Sequence, residues 1–219
     1  MSDIINHPKH YTANPFDAKK LECIDFTRHM GFCDGNAFKY VWRAGSKGDA
    51  LEDLDKALFY LDECRTYKPA PSVEAPILMG TLGFDERDES TKFRYKALRF
   101  IATGLWETAE EYVKALRRYY FSSAVMAELA KRLNEVAFNF KLDDTVIRMD
   151  NVTRAALVTN CPDMFSKAGT DCERFAGRRT VVDRKLEEGV IRLDSGEGHL
   201  DINVFDIIRK VEGKHDSAE

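Results

Sequence analysis

Apolar residues recur every three or four positions through most of the chain, which is the spacing of one face of a helix. The clearest stripe consists of Leu51, Leu54, Leu58 and Leu61. This periodicity, with the glycines and prolines that interrupt it, predicts helices over residues 18–30, 36–44, 49–67, 91–103, 106–120, 122–140, 152–158, 162–175 and 204–211.

The remaining segments predict little regular structure. Short strands are predicted at residues 180–183 and 190–193, and residues 4–14 are predicted to form an extended arm. The fold class predicted is therefore mainly α, with an N-terminal helical hairpin domain and a larger, mostly helical C-terminal region that carries a few short strands.

A proline-rich stretch suggests where the chain divides. Residues 68–76 contain three prolines and no periodicity, which is typical of a semi-rigid spacer. We therefore predict a motif domain at 1–67, a linker at 68–90, a mostly helical region at 91–212 that serves as a lid or an assembly element, and a disordered tail at 213–219.

Composition limits the cellular compartment and the classes of partner that we expect. The five cysteines among 219 residues form no CxxC pair, so neither a disulfide framework nor a zinc knuckle is indicated, and a reducing cytoplasm fits best. We find no apolar run of about 18 residues and no signal-peptide pattern, so neither a membrane span nor export is expected. The net charge of −4 argues against a general nucleic-acid coat.

The first candidate site is a group of cations and one amide. Offsets of three and four place Asn36, Lys39 and Arg43 on one helix face, and Lys47 follows the glycine that ends this helix. Arginine binds two phosphate oxygens at once and lysine adds point charge, so the group suits a phosphate. The alternative is a solvated cationic face paired with acids of the next helix.

The second candidate site is acidic. Glu22 and Asp25, and likewise Glu52 and Asp55, lie three positions apart, and Asp53 adjoins the second pair. Carboxylates on facing helices suit Mg²⁺. The alternative is that Glu52 and Asp53 favour the start of their helix through its dipole.

A third group is the short His-Tyr arm. Imidazole is the side chain best suited to proton transfer near neutral pH, so His10 is a candidate acid-base or phosphate-contacting group, with Tyr11 beside it. The chain contains no GxxxxGK[ST] loop and no GxGxxG turn, which excludes a standard P-loop kinase.

These pieces occur in a specific order over residues 5–65: Pro-x-His-Tyr, Glu-x-Ile-Asp, Gly-Asn-x-x-Lys-Tyr-x-x-Arg-Ala-Gly-x-Lys and Glu-Asp-Leu-x-Lys-Ala. The order resembles a small phage-encoded nucleotide kinase-like family, which is similar to the C-terminal part of the P-loop-free deoxynucleotide kinase of T7-like coliphages. The resemblance implies transfer of a phosphoryl group from a nucleoside triphosphate to a (deoxy)nucleoside monophosphate in the host cytoplasm. Here the motif is N-terminal, and residues 77–219 match no family that we recognise.

The resemblance also implies roles for residues and a homo-oligomer. Catalytic roles fall to Arg43, Lys39 and His10, and substrate-binding roles to Asn36, Lys47, Tyr11, Tyr40 and Lys56. Glu52 and Asp53 would either bind Mg²⁺ or orient Arg43 and Lys56.

Two other functions remain open. Glu22, Asp25, Glu52 and Asp55 are similar to the metal-binding carboxylates of MazG-like all-α pyrophosphohydrolases, which cleave a nucleoside triphosphate to monophosphate and pyrophosphate. A non-catalytic protein that sequesters nucleotides is the other. Nucleic-acid binding is not expected, because the cations of residues 92–118 are offset by Glu107, Glu110 and Glu111.

Overall fold

A computed structural model describes residues 14–16, 21–137, 146–160, 165–168, 172–175, 178–195 and 198–216. Its helices are α1 (Cys23–Thr27), α2 (Phe32–Arg43), α3 (Ala50–Tyr67), α4 (Glu74–Met79), α5 (Glu89–Ala102), α6 (Trp106–Ala137), α7 (Asn151–Asn160) and α8 (Val204–Asp216). Its strands are β1 (Val146–Met149), β2 (Phe165–Ala168), β3 (Cys172–Phe175), β4 (Arg178–Val182), β5 (Val190–Ser195) and β6 (Gly198–Asn203).

The chain divides into two compact units, and the boundary lies between Tyr120 and Phe121, within α6. In the first unit, α2 and α3 pack as a hairpin and α5 packs against α2. Local sequence sets the helix starts: Asp49 accepts a hydrogen bond from the Leu51 backbone N–H at 2.8 Å, and Asp88 caps α5 by accepting from two backbone N–H groups.

The core of the first unit is rich in aromatic rings. Phe26 and Phe38 are fully buried and stack with their centroids 5.2 Å apart, and Trp42 lies 5.9 Å from Phe38. Burial of such side chains is the main favourable term in folding, so this cluster anchors α2 in place. The face of α2 that turns away from the core carries the candidate site.

The second unit contains a mixed sheet. The strand order is β2-β3-β4-β1-β5-β6, in which β1 and β4 are parallel and the other neighbours are antiparallel. Asp150 begins α7 by accepting from the Thr153 backbone N–H, and the Thr153 hydroxyl accepts from Gly189 at 2.6 Å. This contact joins the start of α7 to the turn before β5.

The predicted fold class is confirmed, because the described chain is mainly helical with short strands. Some details differ. The helix predicted at 162–175 is wrong, since 165–168 and 172–175 are paired antiparallel strands and Gly169 lies between them. The two helices predicted at 106–120 and 122–140 are one helix to Ala137, because no glycine or proline interrupts it. Strands β1 and β6 were not predicted.

The division of the chain also differs from the prediction. The proposed linker at 68–90 contains α4, whose Ala75 and Met79 are fully buried in the core of the first unit. The stretch therefore packs as part of that unit. At the C-terminus α8 continues to Asp216, so the tail predicted to be disordered is helical over 213–216, and 217–219 lie outside the described residues.

Candidate functional site

The candidate site lies on the exposed side of the hairpin formed by α2 and α3. On each of the two helices, side chains three or four residues apart share one face. The two faces adjoin here, so that side chains of α2 contact side chains of α3. We call this group the Tyr40 cluster, and its members are Asn36, Lys39, Tyr40, Arg43, Glu52, Asp53 and Lys56.

Arg43 and Asp53 form the fixed base of the Tyr40 cluster. The Nη2 atom of Arg43 lies 2.6 Å from one Asp53 oxygen, and its Nε atom lies 3.1 Å from both. The side chains are only 15% and 4% exposed, respectively. A two-point contact at this burial holds the guanidinium in one orientation, unlike a solvated surface pair.

Three cationic side chains lie close to the Tyr40 ring. The Lys39 Nζ atom lies 4.5 Å from the ring centroid, the Arg43 Cζ atom 4.7 Å and the Lys56 Nζ atom 6.0 Å. The ring also stacks on Tyr60, with centroids 5.8 Å apart. Each cation near a ring face gains about 0.5–1 kcal/mol at an exposed site, which offsets part of the repulsion among like charges.

Lys39 differs from the other two cations in its partner. Its Nζ atom donates to the Asn36 amide oxygen at 2.6 Å, and this acceptor carries no charge. Burial, followed by the neighbouring Arg43 guanidinium, lowers the pKa of Lys39. The Cys23 thiol beside it stays neutral, because burial raises the pKa of Cys23 to about 12.

Lys56 is held by an acid on its own helix. It pairs with Glu52 one turn earlier, and this hydrogen bond raises the pKa of Lys56. The structure thus places Asp53 on Arg43 and Glu52 on Lys56, the orienting role that was one of the two considered for these acids.

A buried arginine from α5 closes the end of α2. Arg94 donates to the backbone oxygens of Val41, Trp42 and Ala44 at 2.7, 2.9 and 2.8 Å, and to the Tyr120 hydroxyl at 2.6 Å. The last carbonyls of a helix have no partner within it, and Arg94 supplies one. This contact fixes the backbone from which Arg43 projects.

The turn after α2 requires glycine at Gly45. Its φ is +80°, and a Cβ atom there would lie 2.7 Å from the Tyr120 hydroxyl. We expect Gly45→Ala to lower the free energy of unfolding by about 2–3 kcal/mol in urea denaturation. Gly48→Ala is the matched control, since Gly48 also has a positive φ, +65°, but open space around it. Equal losses in the two variants would contradict the role of Tyr120.

The acidic residues do not assemble into one site. Glu22 and Asp25 form a capping box at the start of α1, and Asp25 also accepts from Arg28 at 3.0 Å. Asp55 binds Arg117 through two hydrogen bonds of 2.6 and 3.0 Å. Among the described residues, no three His, Cys, Asp or Glu side chains form a group that would hold a metal ion.

The remaining predicted residues are placed as follows. Lys47 lies exposed in the turn after α2. His10 and Tyr11 lie outside the described residues.

All of the predicted site residues lie between residues 5 and 62. A family of proteins of unknown function, DUF3310, matches residues 5–62. The match spans about a quarter of the chain and includes α1, α2 and most of α3. No curated protein and no solved structure matches the chain.

Three residues near the site were not predicted from sequence. Tyr60 could have been found from spacing, since it lies four residues after Lys56 and therefore on the same face of α3. Arg94 and Tyr120 lie beyond the DUF3310 match, and their partners are a backbone turn more than 40 residues away along the chain. No local sequence pattern reports such contacts.

No helix within the described ranges combines the length and the apolar character that crossing a membrane requires.

Proposed function

We propose that this protein is a nucleoside monophosphate kinase that uses the Tyr40 cluster to bind phosphate groups. The observation that carries the proposal is the convergence of Lys39, Arg43 and Lys56 on one half-buried ring. Two of the cations already have carboxylate partners, so the excess positive charge comes from Lys39, and it favours an anionic ligand. The resemblance of residues 5–65 to a nucleotide kinase-like family favours the same class of ligand.

The charges of the Tyr40 cluster do not cancel. Arg43 and Lys56 have carboxylate partners, whereas Lys39 binds the neutral amide of Asn36. The cluster therefore keeps a net positive charge. Phosphoryl transfer depends mainly on positioning the two nucleotides and on neutralising the charge of the moving group, which a fixed guanidinium and a nearby ammonium provide.

Each residue has a separate role in the proposal. Lys39 contacts the phosphate that is transferred, and Arg43, oriented by Asp53, holds its neighbour. Asn36 orients Lys39. Because Tyr40 already contacts Tyr60 and three cations, we assign it to positioning these cations and not to stacking on a base.

Magnesium enters with the nucleotide in this proposal. The carboxylates considered as ligands are engaged by cations or by the start of α1, and Mg²⁺ commonly binds enzymes through substrate phosphates and few carboxylates. The same engagement leaves the pyrophosphohydrolase without a metal site among the described carboxylates. Assembly into a homo-oligomer remains a prediction.

The test is an analysis of products. The full chain is incubated with each deoxynucleoside monophosphate and a panel of triphosphates, with and without Mg²⁺, and every nucleotide is resolved by ion-exchange chromatography. Diphosphates formed from a mono- and triphosphate pair support the kinase. Monophosphate and pyrophosphate formed from the triphosphate alone would replace it by the hydrolase, and unchanged nucleotides would replace it by the sequestering protein.

The substitution Lys39→Met tests the role proposed for Lys39 most directly. We expect diphosphate formation to fall about 10²- to 10³-fold, because a charge aimed at the transferred group is lost. Stability should rise or stay unchanged: the folded state lowers the pKa of Lys39, so the charged lysine opposes folding at neutral pH. This destabilising contribution of Lys39 disappears only as the pH rises above its lowered pKa. Lys92→Met on α5 is the control, and both are followed by thermal unfolding and turnover. A loss of turnover that merely tracks a loss of folded protein would contradict the assignment.

A further inference from the structure

The first unit contains a pocket that is lined by none of the residues of the Tyr40 cluster. It has a volume of about 420 Å³ and is lined by side chains from α5, from Tyr112 of α6 and from the loop before α5. Pockets that bind small organic ligands have volumes of about 300–1,000 Å³. The volume is therefore sufficient for a ligand of nucleotide size.

Two pairs of aromatic rings form its apolar walls. Phe84 and Tyr95 stack with centroids 4.1 Å apart, and Phe100 and Tyr112 stack at 5.5 Å with their planes only 12° from parallel. The rings within each pair are in contact, so a ligand ring would pack on their pocket-facing surfaces and not between them. Flat apolar surfaces of this kind favour a planar heterocycle.

Charged side chains lie beside these walls. Lys96 lies 5.1 Å from the centroid of the Tyr112 ring and 3.5 Å from its hydroxyl, and Arg99 follows one turn later on α5. Glu86 lines the pocket from the preceding loop. Within the described parts of the chain, neither Arg99 nor Glu86 forms an ion pair. Two cations and one carboxylate thus border an aromatic surface without neutralising one another directly.

We propose that this pocket binds a nucleoside triphosphate. The base packs against the aromatic rings, Lys96 and Arg99 bind the phosphates, and the Glu86 carboxylate accepts hydrogen bonds from the sugar hydroxyls. An anion alone would not need the aromatic walls, and an apolar ligand would leave both cations unused. That the bound triphosphate is the phosphoryl donor rests on the proposed function; the binding itself does not.

The test is a titration of the full chain with ATP, adenosine and inorganic tripolyphosphate, followed by isothermal calorimetry. We expect the double variant Lys96→Met/Arg99→Met to weaken ATP binding at least about tenfold while adenosine binding changes less than about threefold. Both side chains are at least partly exposed, so the variant should fold, which circular dichroism checks. Lys92→Met is the matched control, because Lys92 lies on the same helix but does not line the pocket, and it should leave ATP affinity unchanged.

The outcomes separate the two proposals. Unchanged ATP affinity in the double variant, or equal affinity for ATP and tripolyphosphate, would overturn the pocket assignment and leave the kinase to be judged by its products. ATP binding that depends on Lys96 and Arg99 without any diphosphate formation would support the pocket and contradict the kinase.

Discussion

Replacing Arg43 with alanine should lower the free energy of unfolding by about 3 kcal/mol, measured by urea denaturation. The substitution leaves the Asp53 carboxylate, which is 4% exposed, without its two-point partner. An uncompensated carboxylate at this depth costs more than the lost contact itself. The double variant Arg43→Ala/Asp53→Ala should therefore recover much of the loss, and the coupling energy of the double-mutant cycle should exceed about 1.5 kcal/mol.

A matched pair in the same unit provides the control. Arg117 binds Asp55 through a similar two-point contact at 2.6 and 3.0 Å, but these side chains are 36% and 45% exposed. Arg117→Ala should cost less than about 1 kcal/mol, because solvent screens an exposed pair. If the two arginine variants lose equal stability, burial is not what makes the Arg43–Asp53 pair important.

Replacing Arg94 with methionine should have the largest effect of any single substitution considered, about 4 kcal/mol or more. Methionine retains part of the apolar stem but removes all four hydrogen bonds, three of them to backbone oxygens at the end of α2. Buried carbonyls left without donors account for the cost. The kinase activity that we propose should also fall in the folded fraction, because Arg43 projects from this part of the backbone.

Tyr120→Phe is the graded comparison for Arg94. It removes only the hydroxyl that accepts from Arg94 at 2.6 Å and should cost about 1 kcal/mol, since the guanidinium keeps its three carbonyl partners. Thermal unfolding of both variants, with circular dichroism as the probe, orders the two effects. A larger loss for Tyr120→Phe than for Arg94→Met would show that the ring hydroxyl, and not the closure of α2, dominates this contact.

Much of the first unit could be predicted from sequence because its helices carry their own signals. The leucine stripe predicts α3 at 49–67, within one residue of its observed bounds, and Gly45 marks the end of α2. The second unit was less predictable. Its strands are only four to six residues long, and β2 and β3 are paired with each other and not recognisable by periodicity alone.

The candidate site followed the same rule. Contacts within one helix, such as Lys39 with Asn36, follow from spacing, and the pairing of Arg43 with an acid of α3 was one of the expected alternatives. A magnesium site shared by carboxylates of two helices was expected from their spacing. Spacing within a helix does not determine whether the carboxylates of two helices face each other, and here they have separate partners. The role of Arg94 could not be predicted from sequence, because Arg94 binds backbone atoms whose position depends on the packing of the whole unit.

The closure of α2 by Arg94 also bears on how the polypeptide acquires its shape. The three carbonyls that Arg94 binds lie 50 to 53 residues before it, and the DUF3310 match ends at residue 62. A nascent chain that has emerged only to residue 67 has α2 and α3 but not the arginine that completes the turn between them. The segment that matches DUF3310 therefore lacks the donor for the carbonyls at the end of α2, and we expect the Tyr40 cluster to become rigid only after α5 has docked.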